Sequence, residues 1–213
     1  RCRALSWCAR ILAVSDEVKV SNEYLDVAKA LGVCEEIDIA EAFICSKTGG
    51  KKDALKVLGK HITPQARSAS FMIVATHEKL GGALEWLKVA DIKATDLDAD
   101  GKHVLLSRLL TEGLWDEAKE IAENHITADD FNQNSALYRY VAMTYLVHAI
   151  PEDFRMLILG QIPFGASEFP LDDNANGMKL RNKSIDLFRE AGITERQLNC
   201  PCVASFDEDF VLW

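Results

Sequence analysis

Small residues recur along this chain at a nearly constant interval, and that recurrence limits what it can fold into. Ser21, Ala54, Ala83 and Ala118 lie 33, 29 and 35 residues apart, and each is followed four places later by Leu25, Leu58, Leu87 or Ala122. Residues i and i+4 share one face of a helix. A period in the low thirties is the length of a helix-turn-helix unit that buries its apolar face mainly against its neighbours. The expectation is an all-α fold of four to five stacked helix pairs, an architecture that favours binding over catalysis.

Composition supports a folded, mainly helical chain. Of 213 residues, 48% are apolar and 27% charged, with only five prolines and twelve glycines, which argues against both disorder and a many-turned β fold. The formal charge of -9 argues against nucleic acid, because coating a phosphate backbone needs a basic surface. No apolar run reaches the roughly 18 to 20 residues that span a bilayer, so no membrane partner is expected. The six cysteines form no dense framework, which points to reduced thiols and a cytoplasmic setting. The opening Arg1-Cys2-Arg3 and the apolar ending Phe210-Val211-Leu212-Trp213 are read as the edges of a segment of a larger protein.

The predicted pairs run in order. Residues 1–14 and 21–31 form the first, 35–46 and 51–60 the second, 64–79 and 82–90 the third, 98–112 and 115–125 the fourth. Turns are expected at Ser15-Asp16, Gly49-Gly50, Gly81-Gly82 and Gly113, and Pro64 suits the first turn of a helix. A fifth pair, 134–149 and 152–160, carries Pro151 at its turn but no small anchor in its second helix. A long loop then covers 161–177, followed by a helix over 178–191 and an extended tail over 199–213. The domain organisation expected is a repeat domain over 1–160 with 161–213 packed on it or continuing into a parent chain.

In the fourth unit Gly113, Trp115 and Ala118 stand in the order Gly-x-aromatic-x-x-Ala, which resembles the turn and second helix of a tetratricopeptide repeat. Lys102, Leu105, Leu106 and Leu109 occupy the family's first-helix positions, and its small-residue position falls on Ala9, Ala42 and Phe71 in the other units. The resemblance covers roughly residues 5–126. It implies a right-handed superhelix whose first helices line a groove for a partner peptide or helix, and a buried packing role for Trp115. Mapped onto this chain, the lining would be Gln65, Ser68, Met72, His103, Ser107 and Thr111.

Other motifs invite chemistry and fail on spacing. Asp96-Leu97-Asp98-Ala99-Asp100-Gly101 begins like a calcium loop, yet the closing carboxylate position is Ser107, so Asp98 or Thr95 is read as a helix cap. Lys47-Thr48-Gly49-Gly50-Lys51-Lys52 lacks both the upstream glycine and the hydroxyl of a phosphate loop. His77-Glu78 has Gly81 where a zinc helix needs its second His, and Gly165-Ala166-Ser167-Glu168-Phe169 ends on Phe where a nucleophile elbow needs Gly. Cys200-Pro201-Cys202 has no histidine within fifty residues to complete a metal site. His61 and His125 hold the same place in their units and are read as helix-end residues. Lys51, Lys52, Lys56 and Lys60 form a basic ridge, an alternative binding face for an acidic segment. The functional expectation is a non-enzymatic scaffold without metal or cofactor that binds a protein or peptide. The alternative is a structural or regulatory helical arm of a larger multidomain protein whose catalytic domain lies outside this segment.

Overall fold

The computed structural model describes residues 1–151, 162–163, 175–193 and 203–204. Among these residues the chain is helical: α1 (Cys2–Val14), α2 (Val18–Leu31), α3 (Glu35–Thr48), α4 (Lys51–Leu58), α5 (Pro64–His77), α6 (Leu80–Val89), α7 (Ala99–Thr111), α8 (Trp115–Asn124), α9 (Ala128–Gln133), α10 (Leu137–His148) and α11 (Ala175–Glu190). A single 3-10 turn, Ala94–Asp96, precedes α7. A two-residue antiparallel bridge joins Ile162–Pro163 to Val203–Ala204, so the expected tail is extended at that point. The chain divides into two compact units, Arg1–Gly101 and Lys102–Trp213.

Helix boundaries follow local chemistry. Thr63 accepts the N–H of Ala66 through its hydroxyl and Pro64 occupies the first position of α5, so the start of that helix is fixed from both sides. At α9, Thr127 and Asp130 cap each other's backbone N–H groups, a reciprocal arrangement that satisfies two orphan donors. Gly113 has φ 75 and Asp16 φ 62, and both stand five residues before an anchor. In each case two N–H groups turn back onto the preceding helix: Asp16 and Glu17 onto Ala13 and Leu12, Gly113 and Leu114 onto Leu110 and Leu109. The same left-handed closure therefore ends α1 and α7, once on glycine and once on aspartate, a residue that tolerates it better than most. The third turn falls at Glu78–Lys79, so Gly81 and Gly82 sit inside the first turn of α6 instead of between helices.

In the first unit α1 packs on α2 and α3, α3 on α4 and α5, and α5 on α6. The anchors Ser21, Ala54 and Ala83 are fully buried, and so are Ala9, Ala42 and Phe71, which stand twelve residues before them. Ser21 donates its hydroxyl to the Ala9 carbonyl at 2.6 Å. Leu25, Leu58 and Leu87, four residues after the anchors, are buried too.

In the second unit Ala118 and Leu106 hold the corresponding places and are equally buried. Trp115 is half-buried, not enclosed, and lies beside Gly113. The fifth pair is described only in part. Its second helix, placed over 152–160, lies outside the described residues; among the described residues α11 packs on α10, as α8 and α9 also do. There Ser184 is fully buried and donates its hydroxyl to Ala142 at 2.7 Å, the bond that Ser21 makes to Ala9. Phe188, four residues later, is buried as Leu25 is. An anchor is thus present, 42 residues after its partner instead of twelve.

The anchors are small because there is no room beside them. Ala54→Leu should lower stability by roughly 1–3 kcal/mol, the range for overpacking a filled core, whereas Ala30→Leu on the exposed side of α2 should stay within about 0.5 kcal/mol. Urea unfolding midpoints of the two variants check this.

Candidate functional site

The acidic run before α7 shows how a ligand-like motif is spent on packing. Asp98 accepts the N–H of Gly101 at 3.0 Å, as a helix cap does. Asp96 accepts the N–H of Lys93 and pairs with Arg67 at 3.1 Å, and Asp100 pairs with Arg10 at 3.2 Å. Each of the three carboxylates therefore serves its own partners. Burial pushes the Asp98 carboxyl above the usual carboxylate range, against the Gly101 N–H and the Ser68 hydroxyl, which lower it. Gly101 is where α7 meets α5: a Cβ there would lie 2.4 Å from Ser68 Oγ and 2.8 Å from Ser68 Cβ.

This contact corrects the expected groove. Ser68 is buried and its oxygen accepts the N–H of Asp98 at 2.8 Å, so it faces the protein interior. His103 is also buried, packed against the Tyr140 ring at 4.6 Å between centroids and hydrogen-bonded to Asn134. Ser107 is half-buried and hydrogen-bonds Tyr140. Met72 is half-buried and its sulfur accepts from Arg10 at 3.6 Å. Gln65 and Thr111 are exposed. At Met72 the occupant is Arg10: its guanidinium lies 5.0 Å over the Phe43 ring, touches the Met72 sulfur and pairs with Asp100. One side chain of α1 thus occupies the inner positions of α3, α5 and the start of α7.

The basic ridge is half consumed. Lys51 pairs with Glu78, and Lys60 pairs with Asp38 at 2.9 Å. Lys52 and Lys56 are exposed. Beside Lys60, His61 Nε2 lies 2.8 Å from Asp38. Burial would raise the Asp38 carboxyl, but Lys60 and His61 hold it below the usual range. Folding also brings Ser46 Oγ within 2.8 Å of His77 Nε2. A serine-histidine pair acts as a nucleophile when a third group orients the imidazole, and among the described residues no carboxylate is bonded to His77. No group of three or more His, Cys, Asp or Glu among the described residues could hold a metal ion. Cys200 and Cys202 lie outside the described residues.

In the second unit the first-helix position of Lys102 carries a buried ion pair. Its ammonium donates to both Asp130 oxygens, at 2.9 and 2.8 Å, while Thr127 donates its N–H and O–H to the same carboxylate. Burial alone would raise the Asp130 carboxyl, and these donors hold it below the usual range.

Four large apolar side chains are exposed on the first helix pair. Trp7 is 59% exposed, Val27 52% and Leu31 53%, with Tyr24 at 39%. On α1, Ala4, Trp7 and Ile11 lie 17, 14 and ten residues before the anchor; the same places hold Ile37, Ala40 and Ile44 on α3, and Ala66, Ala69 and Ile73 on α5. All six of those are buried. On α1 the inner face, Ser6, Ala9 and Ala13, is the one buried, and Ala4 and Trp7 are exposed. Tyr24, Val27 and Leu31 continue that apolar stripe at helical spacing on α2. Periodicity alone did not reveal this face, because the same residue pattern is core in one unit and surface in another.

No protein family model, curated protein or solved structure matches this chain. Among the described residues no helix is long and apolar enough to cross a membrane.

Two outcomes follow from these contacts. Gly→Ala inside a helix normally stabilises by about 1 kcal/mol, but Gly101→Ala should destabilise by roughly 1–3 kcal/mol because Ser68 fills the space; the shift of the urea midpoint gives the sign. Lys102→Met should destabilise by about 3–5 kcal/mol at neutral pH, since it strands a buried carboxylate. A carboxyl held below its unfolded pKa contributes stability that is present above about pH 4 and lost as pH falls through the folded pKa. The gap between wild type and Lys102→Met should therefore be widest near pH 7 and shrink below about pH 4, as followed by melts across that range.

Proposed function

We propose that this chain is a non-enzymatic protein–protein interaction scaffold of tetratricopeptide-like helix pairs, and that it docks an amphipathic helix of a partner protein on the outer face of α1 and α2. The observation that carries the reading is the exposure of Ala4 and Trp7 on α1, whose counterparts in α3 and α5 are buried, together with the exposed Tyr24, Val27 and Leu31 of α2. In those units the corresponding face receives a helix, because α3 packs on α1 and α2, and α5 on α3. A helix is accordingly the occupant that the register favours, and an amphipathic one lays its apolar stripe into such a surface at i, i+3, i+4 and i+7 spacing. Trp7 and Tyr24 are the residue types that anchor protein interfaces. The stripe carries no charge, so apolar burial and not ion pairing supplies the affinity.

The test places a photo-cross-linking benzoylphenylalanine at position 24 in place of Tyr24, and maps the adduct formed in a cell extract. The expected adduct lies in an amphipathic helical segment of one partner. A synthetic peptide of that segment should bind with a Kd raised at least tenfold, about 1.4 kcal/mol, by Val27→Glu with Leu31→Glu, and changed less than about twofold by Lys52→Glu with Lys56→Glu. Absence of a specific adduct, or loss of binding with the lysine pair but not the apolar pair, would overturn the reading.

A further inference from the structure

Two cysteines far apart in sequence meet in the first unit. Cys2 opens α1, and Cys34 stands in extended conformation, φ -152 and ψ 158, as the residue before α3. Their sulfurs are 3.0 Å apart, about 1 Å longer than a covalent S–S bond and closer than non-bonded sulfurs usually rest. The packing of α1 on α3 brings them together, and the Cys2 thiol also points at the Ala28 carbonyl at 3.5 Å. Both residues are half-buried, which admits small oxidants while shielding the pair from larger thiols. Neither cysteine belongs to the apolar docking face.

We propose that Cys2 and Cys34 are a redox modification site, forming a reversible intramolecular disulfide when the protein meets a peroxide. The Cys2 sulfur attacks one peroxide oxygen, the O–O bond breaks, and the departing hydroxide leaves as water with the thiol proton. The resulting sulfenic acid on Cys2 is attacked by the Cys34 sulfur, which gives up its proton as the S–O bond breaks and a second water leaves. Two thiols have lost two electrons and two protons, and the peroxide is reduced to two waters. Burial and the hydrogen bond to Cys2 push the Cys34 thiol up to about 11, and its attack on the sulfenic acid needs that proton to leave. Raising the pH speeds that second step. The product ties the start of α1 to the start of α3, closing a loop of 32 residues, and so restrains the first helix pair against the second.

The experiment treats the full chain with hydrogen peroxide at a small molar excess and follows intact mass and peptide maps. The expected product is a monomer about 2 Da lighter, with one cross-linked peptide joining Cys2 to Cys34, reversed by dithiothreitol and absent in Cys34→Ser. Disulfide closure should raise the melting temperature by several degrees, and the same treatment of Cys34→Ser should not. A second chain with Cys8, Cys45, Cys200 and Cys202 changed to Ser isolates the pair and should show the same mass loss. A gain of about 32 Da from sulfinic acid, a disulfide-linked dimer, or Cys2 and Cys34 remaining open to iodoacetamide after peroxide treatment would each overturn the proposal.

Discussion

Close approach of the two helices in each pair is the constraint on which the rest of this structure depends. A helix that meets another at a small side chain brings its backbone near enough for a serine hydroxyl to reach the opposing carbonyl, as Ser21 does with Ala9 and Ser184 with Ala142. Once that distance is fixed, the residues four places on are carried into the core, and the residues on the other side of the first helix are presented to whatever comes before. Ala54 and Ala42 satisfy the same geometry without a hydroxyl. Phe71 satisfies it with a large partner opposite the small Ala83, so volume is shared between the two positions instead of being small at both.

Much of this was legible in the chain because the anchors are local. Four of them sit a fixed twelve residues after a buried partner, within the window where helical periodicity can be read directly. Thr63-Pro64 and Asp98 announced helix starts through side-chain chemistry that acts over three residues. Ser184 was illegible for the opposite reason: its partner is Ala142, and no local pattern links positions so far apart. A turn at Ser15-Asp16 is legible from its residues, but a left-handed backbone is not announced by an aspartate as it is by Gly113.

The candidate site was far less legible than the fold. Ser68, His103 and Ser107 look like groove residues because they are polar and spaced along first helices, yet polarity serves burial equally well when an N–H or a ring is waiting opposite. Ser68 meets the N–H of Asp98, and His103 meets Tyr140. Arg10 has the same lesson in reverse: a charged side chain lies across Phe43, Met72 and Asp100. Trp7 reads as core by type and is surface in fact, since α1 buries its inner face alone among positions that α3 and α5 bury on both sides. The thiol pair Cys2 and Cys34 joins the first two helix pairs and carries no spacing signal at all.

The displaced fifth anchor bears on how the chain reaches this structure. The first pairs close contacts between residues about a dozen apart, and short sequence separation makes for fast assembly. The pairing of α10 with α11 links residues 42 apart and must wait for a longer stretch of chain to come round, at a closure penalty greater by about 1 kcal/mol on a logarithmic length dependence. That pairing is therefore expected to form late in folding and to open early in local unfolding, the amide protons of α11 exchanging ahead of those in α3 and α5. The chain would then assemble from its first helix pairs outward, with the α10–α11 pair as the closing step.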